Sequence, residues 1–134
     1  GNPVSCAAAL AVLDVIEEEN ILERSRELGE QLVKRYEAWQ DRFECVDHVR
    51  NLGGMTAFDI VTDKASRTPD TQLTQALIGK ARENGLILLS CGFHGNTIRN
   101  LVPITIQPDV LEEGLGIIKH ALDELTRSEV RATG

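Results

Sequence analysis

The sequence predicts an α+β fold, in which a small, mainly antiparallel sheet of three to four strands is packed against helices and preceded by a long helical arm. The hydrophobic periodicity runs in the order helix, helix, strand, helix, strand, strand, helix. Repeated strand–helix units with a glycine-rich phosphate turn, which would indicate a dinucleotide-binding fold, are absent from this order. The length of 134 residues suits one domain. We divide it into a helical arm (1–45), an α+β core (46–125) and a frayed polar tail (126–134).

Two helices are predicted for the arm. Asn2 can cap a helix that begins at Pro3, because its side chain accepts a bond from an orphan N–H group and proline there loses no needed donor. Three glutamates at 17–19 are unfavourable at a helix C-terminus, so we expect a break near Asn20. The second helix then extends to about Phe43. Its apolar stripe comprises Leu28, Leu32, Tyr36, Trp39 and Phe43.

The core segments follow in order. Alternation from residue 46 predicts a strand, and residues 56–61 predict a second one. Gly53 and Gly54 between them predict a bulge or a close backbone approach. A helix is expected over residues 71–84, where Asn84 and Gly85 supply a left-handed stop.

The last third of the chain contains two further predicted strands and a helix. The apolar run at 86–89 predicts a strand buried on both faces, and residues 90–96 predict a loop. Residues 97–105 predict another strand. Pro108 begins a final helix whose apolar positions stay in register to Leu125.

Composition excludes several classes of partner. The 14 Lys and Arg against 21 Asp and Glu give a net charge of −7, which disfavours binding to nucleic acid. The single Trp, single Tyr and three Phe offer little for base stacking. Neither an apolar run of about 18 residues nor a signal-peptide pattern occurs, so we expect no membrane partner and a cytoplasmic location.

The cysteines also favour a cytoplasmic location. Cys6, Cys45 and Cys91 lie far apart and are odd in number, which predicts reduced thiols rather than disulfides. Cys91 and His94 have a ligand-like spacing, but a second pair that would complete a tetrahedral site is missing. We therefore expect no metal.

Residue spacing alone reveals no catalytic constellation, since the nucleophile-elbow, phosphate-loop and metal-helix motifs are absent. The four lysines occupy predicted helix faces or a polar loop, where a Schiff-base lysine is not expected: Lys34, Lys64, Lys80 and Lys119. Arg99 is the one unusual charge, because it lies within an apolar strand after a glycine-bracketed loop. A buried guanidinium needs an anion. Two interpretations stay open, a structural salt bridge or a planar fork that binds a carboxylate.

Five segments together carry a family resemblance. They are GNPVSCAAALAVL at 1–13, VRNLGGM at 49–55, ARENGLILLSCG at 81–92, GNTIR at 95–99 and LVPITI at 101–106. In this order, and with coverage to about Leu125, the chain resembles the C-terminal small domain of the class III (fold-type I) pyridoxal-phosphate aminotransferases. The loop LSCG followed by GNTIR is most similar to 4-aminobutyrate aminotransferases.

The resemblance implies a homodimeric enzyme, dependent on pyridoxal phosphate, that moves an amino group from an ω-amino acid to 2-oxoglutarate. It assigns Arg99 to the α-carboxylate of glutamate or 2-oxoglutarate, and Gly95, Asn96 and Cys91 to the neighbourhood of that site. In the family, the Schiff-base lysine, the acid at the pyridine nitrogen and the ring-stacking residue belong to a large domain upstream. We therefore expect no catalytic residue within 1–134 and an inactive fragment without the large domain, which the start at Gly1 without Met also suggests.

Two residues depart from the family pattern. Asn51 stands where glycine usually follows the residue matching Arg50, and asparagine tolerates a left-handed turn there. Asn100 stands where an apolar residue usually follows Arg99, which is expected to alter packing or substrate preference. Two alternatives to the 4-aminobutyrate type remain. One is an ornithine or acetylornithine type of class III enzyme. The other is a stand-alone module that holds a carboxylate ligand with Arg99 and the glycine loop.

Overall fold

The predicted α+β class is confirmed. A computed structural model describes residues 1–132, and the side chains of residues 1–127. Within this range the helices are α1 (Pro3–Glu18), α2 (Ile21–Arg42), α3 (Thr71–Glu83) and α4 (Pro108–Ala132). The strands are β1 (Val46–Leu52), β2 (Met55–Ile60), β3 (Ser90–Cys91) and β4 (Thr97–Asn100).

The strands form one four-stranded sheet in the order β1-β2-β4-β3, and each neighbouring pair is antiparallel. Ala57 on β2 lies opposite Arg50 on one side and Arg99 on the other. Thr97 on β4 lies opposite Cys91 on β3. Successive side chains of a strand point to opposite faces. The sheet therefore has an inner face buried in the core and an outer face on which Arg50, Thr97 and Arg99 lie.

Helix α2 is part of the core. Its apolar stripe is buried as predicted, and the rings of Tyr36, Trp39 and Phe58 form a cluster with centroids 5.1 to 5.9 Å apart. Such edge-on contacts add to the stabilisation by apolar burial. Helix α1, in contrast, buries none of its residues. The arm predicted for residues 1–45 is therefore confined to α1, because the stripe on α2 matches the apolar inner face of the sheet.

Local signals place the helix ends. The Asn2 side chain accepts a hydrogen bond from the Val4 amide at 2.9 Å, and α1 begins at Pro3 as predicted. The break falls at Asn20, whose φ of 50° is left-handed. Helix α3 ends before Gly85, whose φ is 89°. These features are confirmed.

Two strand predictions are wrong in extent. Residues 86–89 form no strand, since Leu88 is buried whereas Ile87 and Leu89 are 82% and 69% exposed. The edge strand β3 lies instead within the predicted loop. Strand β4 ends at Asn100 rather than at residue 105, because its last partner on β2 is Thr56 and Pro103 has no N–H for a ladder.

The predicted frayed tail is also corrected. Helix α4 continues through residue 126 to Ala132, and residues 133–134 lie outside the described range. None of the helices in the described part of the chain has the combination of length and apolar character that crossing a bilayer requires.

Candidate functional site

A shallow cavity of about 320 Å³ lies on the outer face of the sheet. Residues that line it come from all four strands, and they include Arg50, Leu52, Met55, Cys91, Thr97 and Arg99. The alternation of the strands places the two arginines on one face, although they are far apart in sequence. The site therefore combines two cations with an exposed apolar rim.

Arg99 is exposed on this face. Among the side chains of residues 1–127, none forms an ion pair or hydrogen bond with its guanidinium. The structure thus gives no support to the structural salt bridge that was one of the two interpretations. A guanidinium in this state has its full set of donors available to a ligand.

The guanidinium of Arg50, unlike that of Arg99, is held by several hydrogen bonds. Its Nη2 donates to Asp59 Oδ1 at 2.9 Å and to Thr97 Oγ1 at 3.3 Å, and its Nη1 donates to the carbonyl oxygen of His48 at 2.8 Å. The sequence analysis did not single out Arg50. The signal that points to it is an arginine on one strand of a predicted hairpin with an aspartate, Asp59, on the other.

Asp59 organises this cluster. Its carboxylate accepts a hydrogen bond from Thr97 Oγ1 at 2.6 Å, and His48 Nδ1 lies 3.0 Å from Oδ2. Burial raises the pKa of Asp59, but hydrogen bonds from Arg50, Thr97 and His48 outweigh burial, and the pKa is lowered overall. The carboxylate is therefore charged at neutral pH and neutralises Arg50. Of the two arginines in the cavity, Arg99 is the one left for an anion.

The structure brings one of the three neighbouring candidates to the site. Cys91 lies on β3 opposite Thr97, half-buried in the cavity wall. Asn96 is buried and makes two hydrogen bonds with the backbone of Ile60. Its Nδ2 donates to the carbonyl oxygen of Ile60 at 3.0 Å, and its backbone carbonyl oxygen accepts from the amide of Ile60 at 2.8 Å. Gly95 has a φ of 65° and turns the chain outside the cavity. Asn96 and Gly95 thus shape the loop before β4.

The two departures from the family pattern have different consequences. Asn51 lies in β1 opposite Thr56 and is not left-handed; its Nδ2 donates to the carbonyl oxygen of Gly53 at 3.3 Å. The prediction of a left-handed turn at Asn51 is therefore wrong, because Gly53 is the left-handed residue of the turn. Asn100 is buried, and its Nδ2 donates to the hydroxyl of Tyr36.

The lysines do not fit the aldehyde of pyridoxal phosphate. Lys64 donates to the carbonyl oxygen of Gln40 at 2.5 Å, Lys80 pairs with Glu83 and Glu124, and Lys119 pairs with Asp123. Lys34 is exposed on α2. None of the four lines the cavity beside Arg99. Among the described residues, the cavity thus holds the Arg99 guanidinium without a lysine beside it.

Comparisons with known proteins agree with the fold and identify the family. The profile of the Aminotransferase class-III family matches residues 1–122. The chain is 43% identical over 125 residues to the 5-aminovalerate aminotransferase DavT of Pseudomonas putida, covering 93% of the chain and 29% of DavT. It is 44% identical over 122 residues to a probable 4-aminobutyrate aminotransferase of Bacillus subtilis, covering 91% and 28%. A solved amine transaminase from an uncultivated Pseudomonas species, in its pyridoxal-phosphate-bound form, matches with a TM-score of 0.78 at 30% identity, covering 91% of the chain and 28% of that protein.

The fold thus defines a domain of the transaminase type. The chain belongs to the class III aminotransferases, a family that depends on pyridoxal phosphate, and the resemblance is confirmed. It spans less than a third of the length of the curated relatives described above.

Proposed function

We propose that the chain is the small domain of an aminotransferase that moves an amino group from an ω-amino acid, of the 4-aminobutyrate or 5-aminovalerate type, to 2-oxoglutarate. The names of the relatives support this donor class. The observation that carries the proposal is the guanidinium of Arg99, which is exposed at the cavity and has no partner among the described side chains.

In this proposal Arg99 holds the α-carboxylate of the amino acceptor. The planar guanidinium makes two parallel hydrogen bonds to a carboxylate, which fixes its orientation as well as its distance. Arg50 takes no part in this contact, because Asp59 already occupies its Nη2. When bound, pyridoxal phosphate supplies the electron sink for amino-group transfer. The resemblance assigns its anchoring lysine to the large domain upstream.

The other elements of the proposal concern location and assembly. Cys6, Cys45 and Cys91 form no disulfide among the described residues, which favours a reducing, cytoplasmic compartment. The resemblance implies a homodimer. An ornithine or acetylornithine type of donor is the runner-up within the family, and steady-state assays with each amino donor would separate it from the 4-aminobutyrate type.

Substitution of Arg99 in the longer protein, with its large domain present, tests the proposal. Arg99→Lys keeps the charge and loses the fork, so kcat/KM for 2-oxoglutarate should fall roughly tenfold or more, equivalent to about 1.5–3 kcal/mol. Arg99→Ala should cost more, since the carboxylate then has no partner. The half-reaction with the amino donor and the melting temperature should change little.

A matched control is Arg26→Lys, which alters an exposed arginine on α2 that is paired with Glu23. It should leave both half-reactions unchanged. Normal acceptor kinetics in Arg99→Ala, together with a lowered melting temperature, would instead assign Arg99 a structural role and overturn the proposal.

A further inference from the structure

Asn100 is a polar residue at a buried position, directly after the arginine of the proposed site. Its side chain is 8% exposed, and Nδ2 donates to the hydroxyl oxygen of Tyr36, a residue that is fully buried. This bond joins β4 to the middle of α2 within the core, where the buried Thr56 of β2 is a second polar neighbour of the Tyr36 hydroxyl. A hydrogen bond in such surroundings is costly to leave half-made.

The backbone of Arg99 has few other constraints. Strand β3 pairs only as far as Ile98, so Arg99 and Asn100 have ladder partners on β2 alone, which are Ala57 and Thr56. The chain leaves the sheet at the next residue, Leu101, which is 61% exposed. The side chain of Asn100 therefore ties down the free end of the strand that carries Arg99.

The acceptor in this bond is stable over the physiological range of pH. Burial raises the pKa of Tyr36, and this effect exceeds the opposite effect of its side-chain hydrogen bonds. The phenol thus stays neutral, and its oxygen remains able to accept from Nδ2 while its own proton is retained.

We propose that Asn100 and Tyr36 are positioning residues for Arg99. Their hydrogen bond holds the end of β4, and with it the Arg99 guanidinium, in the position that binding of the acceptor carboxylate requires. This inference rests on the proposed function. Its physical basis is that a catalytic or binding group displaced by about 1 Å loses much of its effect, even when the group itself is intact.

The test uses the longer protein and measures the two half-reactions separately. Tyr36→Phe removes one oxygen and leaves the amide of Asn100 buried without its acceptor. We expect KM for 2-oxoglutarate to rise about five- to tenfold, the usual worth of one such bond expressed as affinity, with the amino-donor half-reaction unchanged. Adding Asn100→Leu removes the stranded amide and should restore part of the lost stability, while KM for 2-oxoglutarate stays raised because the bond is still missing.

A control separates positioning from a general loss of stability. Thr74→Val removes another fully buried hydroxyl, which donates to the carbonyl oxygen of Asp70 at 2.6 Å on α3, away from Arg99. This variant should lower the melting temperature and leave KM for 2-oxoglutarate unchanged. An unchanged acceptor KM in Tyr36→Phe, or an equal loss in both half-reactions, would overturn the inference.

Asn100→Leu on its own provides a second route if Tyr36→Phe does not fold, because it removes the donor of the same bond while the Tyr36 hydroxyl keeps Thr56 as a neighbour. It should raise the acceptor KM in the same way, and an unchanged KM would again overturn the inference. Arg99→Ala keeps the two proposals distinguishable. If it raises the acceptor KM and Tyr36→Phe does not, only the positioning role fails; if Arg99→Ala has no effect, the proposed function itself fails.

Discussion

Gly29 on α2 faces the carbonyl oxygen of Gly53 in the β1–β2 turn so closely that a Cβ atom at residue 29 would lie 1.9 Å from it. Ser25, one turn earlier on α2, accepts a hydrogen bond from the amide of Gly54 at 2.9 Å. The tip of the hairpin is thereby seated on the helix. Gly53 itself has a φ of 55°, which favours glycine. The glycine pair is thus a close backbone approach, one of the two outcomes that the sequence predicted, while the strand irregularity lies between Asp47 and Arg50.

Gly29→Ala should destabilise the chain. The added methyl group collides with backbone atoms, which cannot rotate away, so helix and hairpin must move apart at a cost of about 1–3 kcal/mol or more. Gly79→Ala on α3 is the matched control, because nothing lies within 4 Å of a Cβ there. Its better helix propensity should raise the free energy of unfolding by about 0.5–1 kcal/mol. Denaturant unfolding measures both, and equal effects would contradict the close contact.

Asp59→Asn should change the pH dependence of stability. The pKa of Asp59 is lowered in the folded chain, so its charged form stabilises folding above the unfolded carboxyl pKa of about 4, and this stabilisation is lost as the pH falls through the folded value. At pH 7 the variant should be less stable by about 1–3 kcal/mol, the range for hydrogen bonds to charged groups.

The two stability curves should converge on acidification. Thermal unfolding between pH 7 and pH 2 would follow this. Asp63→Asn serves as a comparison at a carboxyl whose pKa is also lowered, but by local hydrogen bonds from Ser66 and Thr62, so it should show a smaller convergence. A constant difference between wild type and Asp59→Asn at every pH would contradict the ionic role of the carboxylate.

The two arginines of the cavity should respond differently to substitution. Arg50→Leu leaves the carboxylate of Asp59 without its strongest partner and should cost about 1.5–3 kcal/mol of folding free energy. Arg99→Leu removes a guanidinium without a described partner, so stability should stay within about 0.5 kcal/mol of wild type. Chemical denaturation of both variants measures the two changes in the free energy of unfolding. A large loss in Arg99→Leu would show that Arg99 has a structural partner.

The chain of residues 1–134 should form no specific covalent adduct with pyridoxal phosphate. Three of its four lysines are engaged in hydrogen bonds or ion pairs, and none lies in the cavity with Arg99. An absorbance titration, followed by borohydride reduction and peptide mapping, should find only scattered, substoichiometric labelling of amines. Stoichiometric labelling of one lysine would contradict this and place a cofactor anchor within the chain.

Much of the architecture follows from local sequence. The period of the apolar positions identifies α2, α3 and α4, while Asn2 marks the start of α1 and Gly85 the end of α3, because both kinds of signal act within a few residues. The five resembling segments likewise lead to the family, which the comparisons confirm. Arg99 stands out from sequence alone as a charge in an apolar strand.

Tertiary structure decided the features that depend on a distant partner. Residues 86–89 have the apolar run of a strand but lack a strand to pair with. Strand β4 ends at Asn100, because Thr56 is the last residue of β2 with which it pairs. Periodicity records which face of an element is buried, but it does not record the neighbour that covers that face or where the neighbour ends. The same limit applies to charge. Arg50 and Arg99 are equally cationic in sequence, and only the packing of β2 between β1 and β4 gives Asp59 to the first and leaves the second open to a ligand.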